Sequence, residues 1–155
     1  MSGTANATRY IGINCTFTAA GAASSIQGNT IAGFALYTAS ANNTLNGAWC
    51  GINLNSGNAN IGTTTGNTIG ATSGNGSIYA ATTVTGGTVV GINATSVNTV
   101  NIQNNTIGAV DAVGTAATLS GGFTGIDTAG AAGVFTLTSN IIGNTTADNI
   151  RTGYT

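Results

Sequence analysis

The sequence contains no lysine, histidine, glutamate or proline. Charged residues make up 3% of its 155 positions, two arginines and three aspartates, against about 25% in an ordinary soluble domain. Without basic side chains to neutralise phosphates, nucleic acid is not an expected partner, and neither is an anionic membrane surface. No apolar run approaches the roughly 20 residues that cross a bilayer, so membrane insertion is not expected. Residues 1–10 hold no apolar stretch of the kind a secretion signal needs. That leaves a removed signal, excision from a longer protein, or another export route. The missing residue types also strip out most general acids, bases and metal ligands, so neither an enzyme nor a cofactor is expected.

Neutral asparagine, threonine, serine and glutamine must therefore supply solubility. The net charge of −1 leaves almost no repulsion between copies. Glycine is frequent, with 25 residues, but hydrophobic residues reach 41% and proline is absent, which is not the composition of a disordered chain.

Self-similarity organises the chain. A Gly-Ile-Asn/Asp triplet occurs at Gly12-Ile13-Asn14, Gly51-Ile52-Asn53, Gly91-Ile92-Asn93 and Gly125-Ile126-Asp127, with spacings of 39, 40 and 34. Each is followed by Asn-x-Ile: Asn29-Thr30-Ile31, Asn67-Thr68-Ile69, Asn105-Thr106-Ile107 and Asn140-Ile141-Ile142, spaced 38, 38 and 35. The second residue before each Gly-Ile is aromatic or β-branched: Tyr10, Trp49, Val89 and Phe123. These positions divide one domain, residues 1–155, into four repeats. The closing Tyr154-Thr155 reads as the start of a fifth phase.

No sustained i, i+3, i+4 spacing supports a helix, and glycine, threonine, asparagine and serine disfavour helix interiors. Val100 and Ile102 alternate with Asn101 and Gln103, and Phe135 and Leu137 with Thr136 and Thr138, as short strands between turns. One repeat cannot bury its apolar face alone, whereas stacked repeats share a core. The expected inward rows are Ile13, Ile52, Ile92, Ile126 and Ile31, Ile69, Ile107, Ile142. Repeats of 34 to 40 residues accommodate two coils of half that length or one coil with an excursion. The two-coil reading is preferred, with residues 71–88 as second coil or excursion.

The run Gly91-Ile92-Asn93, Val100-x-Ile102, Asn104-Asn105-Thr106-Ile107-Gly108 resembles the parallel β-helix repeat of pectin-lyase-like domains in large bacterial surface and extracellular proteins. The resemblance extends from about Tyr10 to about Gly143. It implies an all-β, right-handed parallel β-helix, or β-solenoid. It also implies that Asn29, Asn67, Asn105 and Asn140 stack as a ladder at a bend, with Asn14, Asn53, Asn93 and Asp127 as a second. Asparagine suits both, since it tolerates turn dihedrals and its amide both donates and accepts. The enzymes of that family use a base and clustered carboxylates, and here the three aspartates fall in different repeats or phases.

Asp127 stands where other repeats carry asparagine, so a turn role is preferred over a calcium ligand or catalytic acid. Asp111 and Asp148 are expected in exposed turns. Cys15 and Cys50 differ in phase by four residues, about 13 Å along stacked strands, beyond the roughly 7 Å a disulfide allows. Two free thiols are preferred, and no metal-ligand spacing is present. Arg9 with Tyr10, and Arg151 with Tyr154, are read either as solvated charges or as the two sides of an end-to-end interface. Thr63, Thr65, Thr136 and Thr138 fall at matching offsets before Asn-x-Ile, a candidate flat face for ice or surface glycans. The Gly-rich pairs lack the Lys of a phosphate loop and read as turns. The expected role is a subunit of an extracellular or cell-surface filament that meets its own copies head to tail, or adjacent repeats of a longer chain. The alternative is an adhesin using the Thr/Asn-rich face.

Overall fold

The computed structural model describes residues 7–42, 44, 46–118 and 121–154; Thr155 lies outside them. The first coil carries β1 (Tyr10–Thr16), β2 (Ser24–Ile26), β3 (Thr30–Ile31) and β4 (Phe34–Thr38). The second carries β5 (Trp49–Ser56), β6 (Ala59–Ile61), β7 (Thr68–Gly70) and β8 (Ile78–Thr82). The third carries β9 (Thr88–Ala94), β10 (Thr99–Gln103), β11 (Thr106–Gly108) and β12 (Val110–Gly114). The fourth carries β13 (Gly122–Thr128), β14 (Val134–Thr138), β15 (Ile141–Ile142) and β16 (Ile150–Tyr154). Strands of the same place in each coil pair in parallel, giving four four-stranded sheets. The first is β1-β5-β9-β13, and the second, third and fourth follow the same order of coils. No helix occurs among the described residues. The protein is a parallel β-solenoid of four coils.

Both isoleucine rows are in register. Ile13, Ile52, Ile92 and Ile126 stack in the first sheet. Ile31, Ile69, Ile107 and Ile142 stack in the third. The glycine of each triplet explains why the two motifs travel together. A Cβ on Gly51 would lie 2.6 Å from the Gly91 carbonyl oxygen and 2.9 Å from two Ile69 carbons. Gly12 faces Ile31, Gly91 faces Ile107 and Gly125 faces Ile142 in the same way. The first-sheet glycine leaves the space that the third-sheet isoleucine fills across the narrow interior, so the motifs are two halves of one contact. Trp49, Ile52 and Leu54 all join the core, although 49 and 52 differ in pleat parity; the strand changes pleat at Gly51.

Gly91→Ala would place its methyl 2.4 Å from the Gly125 carbonyl oxygen and 2.7 Å from Ile107 Cδ1. Overpacking against a main-chain atom is expected to lower stability by about 2–3 kcal/mol, read from the urea midpoint. An unchanged midpoint would mean that this contact does not set the coil's width.

The structure corrects the coil count. Each repeat is one coil, because strand partners sit a whole repeat apart, as Tyr10 with Trp49 and Ile13 with Ile52. Four sides and four corners use up the length that two shorter coils would have needed. Residues 71–88 are neither a second coil nor an excursion as a whole: 71–77 form a corner, and β8 supplies the fourth side. The fifth-phase reading of Tyr154 is also corrected. Tyr154 lies in β16, in register with Gly114 of the fourth sheet, not with Tyr10 and its first-sheet counterparts.

Burial is greatest in the middle coils. Ile52, Ile69, Ile92, Ile102 and Ile107 are fully buried. At the C-terminal end the same rows come to the surface: Leu137, in register with Ile102, is 45% exposed and Ile142, in register with Ile107, is 51% exposed.

Candidate functional site: the asparagine rows and the open coil faces

At the corner leading into the third sheet, Asn29, Asn67, Asn105 and Asn140 form a continuous row. Each Nδ2 donates to the next Oδ1, at 2.8 Å, 2.8 Å and 2.9 Å. The main-chain N–H groups of Asn29, Asn67 and Asn105 donate to those same oxygens, at 3.0 Å, 3.0 Å and 3.1 Å. A main-chain N–H can only donate, so the atom it meets must be the amide oxygen, which fixes the direction of the row. Asn67 and Asn105 also donate back to the Ile26 and Ile61 carbonyls. Both side chains are buried, so the row ties adjacent coils together and satisfies corner groups that water cannot reach.

The first-sheet row runs the other way. Asn53 Nδ2 donates to Asn14 Oδ1 at 2.7 Å, and Asn93 Nδ2 to Asn53 Oδ1 at 2.6 Å. Asn55, which sequence reasoning passed over, reinforces the start by donating to Asn14 Oδ1 and to the Cys15 carbonyl. Asp127 is next, in register with Asn93. A carboxylate has no N–H to offer, and Asn93 Oδ1 is buried without a donor among the described residues. Asp127→Asn restores the donor and is expected to raise stability by about 1 kcal/mol, seen as a rise of a few degrees in Tm. A fall in Tm would mean that the carboxylate has a partner the row does not supply.

The other aspartates separate. Asp148 is exposed, at a positive φ of 56°. Asp111, expected in an exposed turn, is instead buried on β12. Arg151 on β16 is its in-register neighbour and binds it in a bidentate ion pair, with Nε to Oδ1 at 2.8 Å and Nη2 to Oδ2. These hydrogen bonds raise the Arg151 pKa further above its ordinary value. Arg151 is thus turned back onto the preceding coil. Arg9 bonds the Gly47 carbonyl and Asn46, and Tyr10 packs on Phe34 and Trp49. Arg9, Arg151 and Tyr154 are exposed, Tyr154 at 62%, whereas Tyr10 is half-buried. Tyr154 lines, with Arg151, Asp148 and Thr152, an open cavity of about 390 Å³.

The threonine face also needs correction. Thr136 and Thr138 point out from β14, but Thr136 aligns with Asn101, Asn60 and Ser25. Thr63 and Thr65 lie in the corner between β6 and β7, outside any strand. The second coil has a longer corner there, which shifts the offset counted back from Asn67. Thr30, Thr68 and Thr106 do form an aligned threonine stack, followed in register by Ile141. The middle residue of Asn-x-Ile is its sequence signal.

Cys15 and Cys50 are both free thiols; Cys50 registers with Ile11 and Val90, Cys15 with Leu54. Burial pushes the Cys50 thiol up to about 12 and raises Cys15 as well. At pH 8 the Cys50 thiolate fraction is on the order of 10⁻⁴. Iodoacetamide at that pH is expected to spare Cys50 in the native protein and to modify both cysteines in urea, read by mass spectrometry. Rapid native alkylation of Cys50 would show that the first sheet opens.

The fold defines the class as a repeat solenoid. No protein-family model matches the chain, and neither the curated proteins nor the solved structures yield a match to it.

Proposed function

We propose that this protein is a structural subunit of an extracellular or cell-surface fibre, assembled by end-to-end stacking of its coils. The observation that carries the reading is the C-terminal face. Leu137 and Ile142 are about half exposed there, whereas their in-register neighbours Ile102 and Ile107 are fully buried. Large apolar side chains exposed at the end of a solenoid are the surface that a further coil covers. The edges of β13, β14, β15 and β16 carry main-chain groups that pair with an incoming strand. The low charge favours close approach of copies, and the resemblance to repeat domains of bacterial surface proteins supports the location. No enzymatic activity, cofactor or nucleic-acid partner belongs to this role. Electron microscopy of purified, tag-free protein at neutral pH is expected to show unbranched filaments, and antibody against the protein to label intact source cells. Dispersed short rods would sink self-assembly by this chain.

A second reading, a glycan-binding adhesin segment, is favoured by the cavity beside Tyr154 and Arg151. It requires glycan-array binding that Tyr154→Ala removes. The ice-binding form of that reading cannot use Thr63 and Thr65 as one face with Thr136 and Thr138, because the first two lie in a corner and the last two on β14.

A further inference from the structure

We propose that copies join in one polarity and one register: the C-terminal face of one molecule meets the N-terminal face of the next, with Asn140 beneath Asn29 and Asp127 beneath Asn14. This rests on the stacking reading above and adds its direction and its contacts.

Each row ends in groups that match only the opposite end of another copy. In the third-sheet row, the main-chain N–H and one Nδ2 hydrogen of Asn29, Asn67 and Asn105 are donated to the amide oxygen of the following coil, while the Nδ2 groups of Asn67, Asn105 and Asn140 also donate back to main-chain carbonyls of the preceding coil. Among the described residues, Asn29 Oδ1 accepts no hydrogen bond, and the Asn140 main-chain N–H has no acceptor, while one Asn140 Nδ2 hydrogen is donated back to the Ile102 carbonyl. Three times within the chain such an oxygen accepts a main-chain N–H and an Nδ2 together. Asn29 of an incoming copy offers Asn140 that same acceptor.

The first-sheet row has the opposite direction and ends as usefully. Asn14 uses its oxygen towards Asn53 and Asn55, which leaves its Nδ2, without an acceptor among the described residues, for the N-terminal side. At the other end stands Asp127, an acceptor with two oxygens and no donor. An asparagine over a carboxylate forms a charge-assisted bond, stronger than the neutral amide pairs inside the chain. Asp127 weakens the last internal rung, at Asn93, and strengthens the rung that joins two molecules.

The wrong polarities fail on the same groups. Head to head, Asn29 oxygen meets Asn29 oxygen. Tail to tail, Asp127 meets Asp127, and Asn140 donors meet donors. Two rows of opposite direction also fix rotation, since each places its own pair in contact. The inner surface agrees: glycines at 12, 51 and 91 each admit the carbonyl oxygen of the following glycine, and Gly125 leaves the same space for Gly12 of the next copy.

Cross-linking tests the assignment. In a Cys15→Ser, Cys50→Ala background, Asn14→Cys and Asp127→Cys are made as separate proteins, assembled together and oxidised mildly. Within one molecule the two positions are three coils apart, about 14 Å, too far for a disulfide. Across the proposed junction they are neighbouring strands. The expected product on a non-reducing gel is the mixed dimer, exceeding either homodimer by at least about tenfold. Predominant homodimers would overturn the polarity. Filaments with no cross-link would overturn the register while leaving stacking intact. Absence of filaments in both background and natural sequence would remove the stacking reading itself. Filaments of the natural sequence with none in the background call for the same pair in a Cys15→Ala, Cys50→Ser background, judged by the same products.

Discussion

Replacing Asn105 with alanine is expected to lower stability by about 3–5 kcal/mol. Asn105 is fully buried. Its oxygen accepts both the main-chain N–H and the side-chain amide of Asn67. Its own amide donates to the Ile61 and Gln103 carbonyls, at 3.0 Å and 2.9 Å, and to Asn140. The substitution strands several of these groups at once, and a buried group without a partner costs about 1–3 kcal/mol. Asn29→Ala, at the open end of the same row, interrupts fewer bonds and is expected to cost about 1 kcal/mol. Urea unfolding of the two variants tests the difference. Equal, small losses would mean that water replaces the amide and that the row is ornament on a core held by isoleucine alone.

The second large effect concerns assembly. Leu137→Lys is expected to leave a folded monomer and abolish filaments, raising the concentration needed for assembly roughly a thousandfold or more. Leu137 faces the axis at the last coil and is 45% exposed, so a lysine there reaches water past the open edge. Covered by another copy, the same ammonium is buried without a counter-charge. Thr136→Lys is the control: it lies on the same strand and points outward, and filaments are expected to survive it. Sedimentation of both variants, beside circular dichroism of the soluble fraction, separates lost assembly from lost folding. Filaments of Leu137→Lys that resemble those of the natural sequence would show that this face is not the junction.

The repeat phase was readable because backbone geometry forces it. A glycine is needed opposite each isoleucine, and a corner asparagine is needed to accept the main-chain N–H of the corner in the coil before it. Those requirements leave Gly-Ile-Asn and Asn-x-Ile wherever a coil passes. Corner lengths were not readable in the same way. A corner outside the core accepts extra residues at little cost. The longer corner that holds Thr63 and Thr65 therefore broke the offset count, and the four-sided coil resembled two shorter ones. Asp111 was misplaced for a related reason. Its burial depends on Arg151, a residue 40 positions away, and only the register of β12 with β16 brings the two together. Tyr154 matched Tyr10 as an aromatic residue at the expected phase with an arginine nearby, although the two occupy different sheets. The polarity of the asparagine rows required the hydrogen bonds themselves, since the letters are identical in either direction.

Helical reconstruction of the filaments from electron cryomicroscopy tests the central claim most directly. If the coils run unbroken from one molecule to the next, the axial rise per subunit is four strand spacings, about 19 Å, with a continuous repeat near 4.8 Å. A rise much larger than this, or subunits joined side by side with their coil faces still open, would contradict stacking through the faces that Leu137 and Ile142 expose.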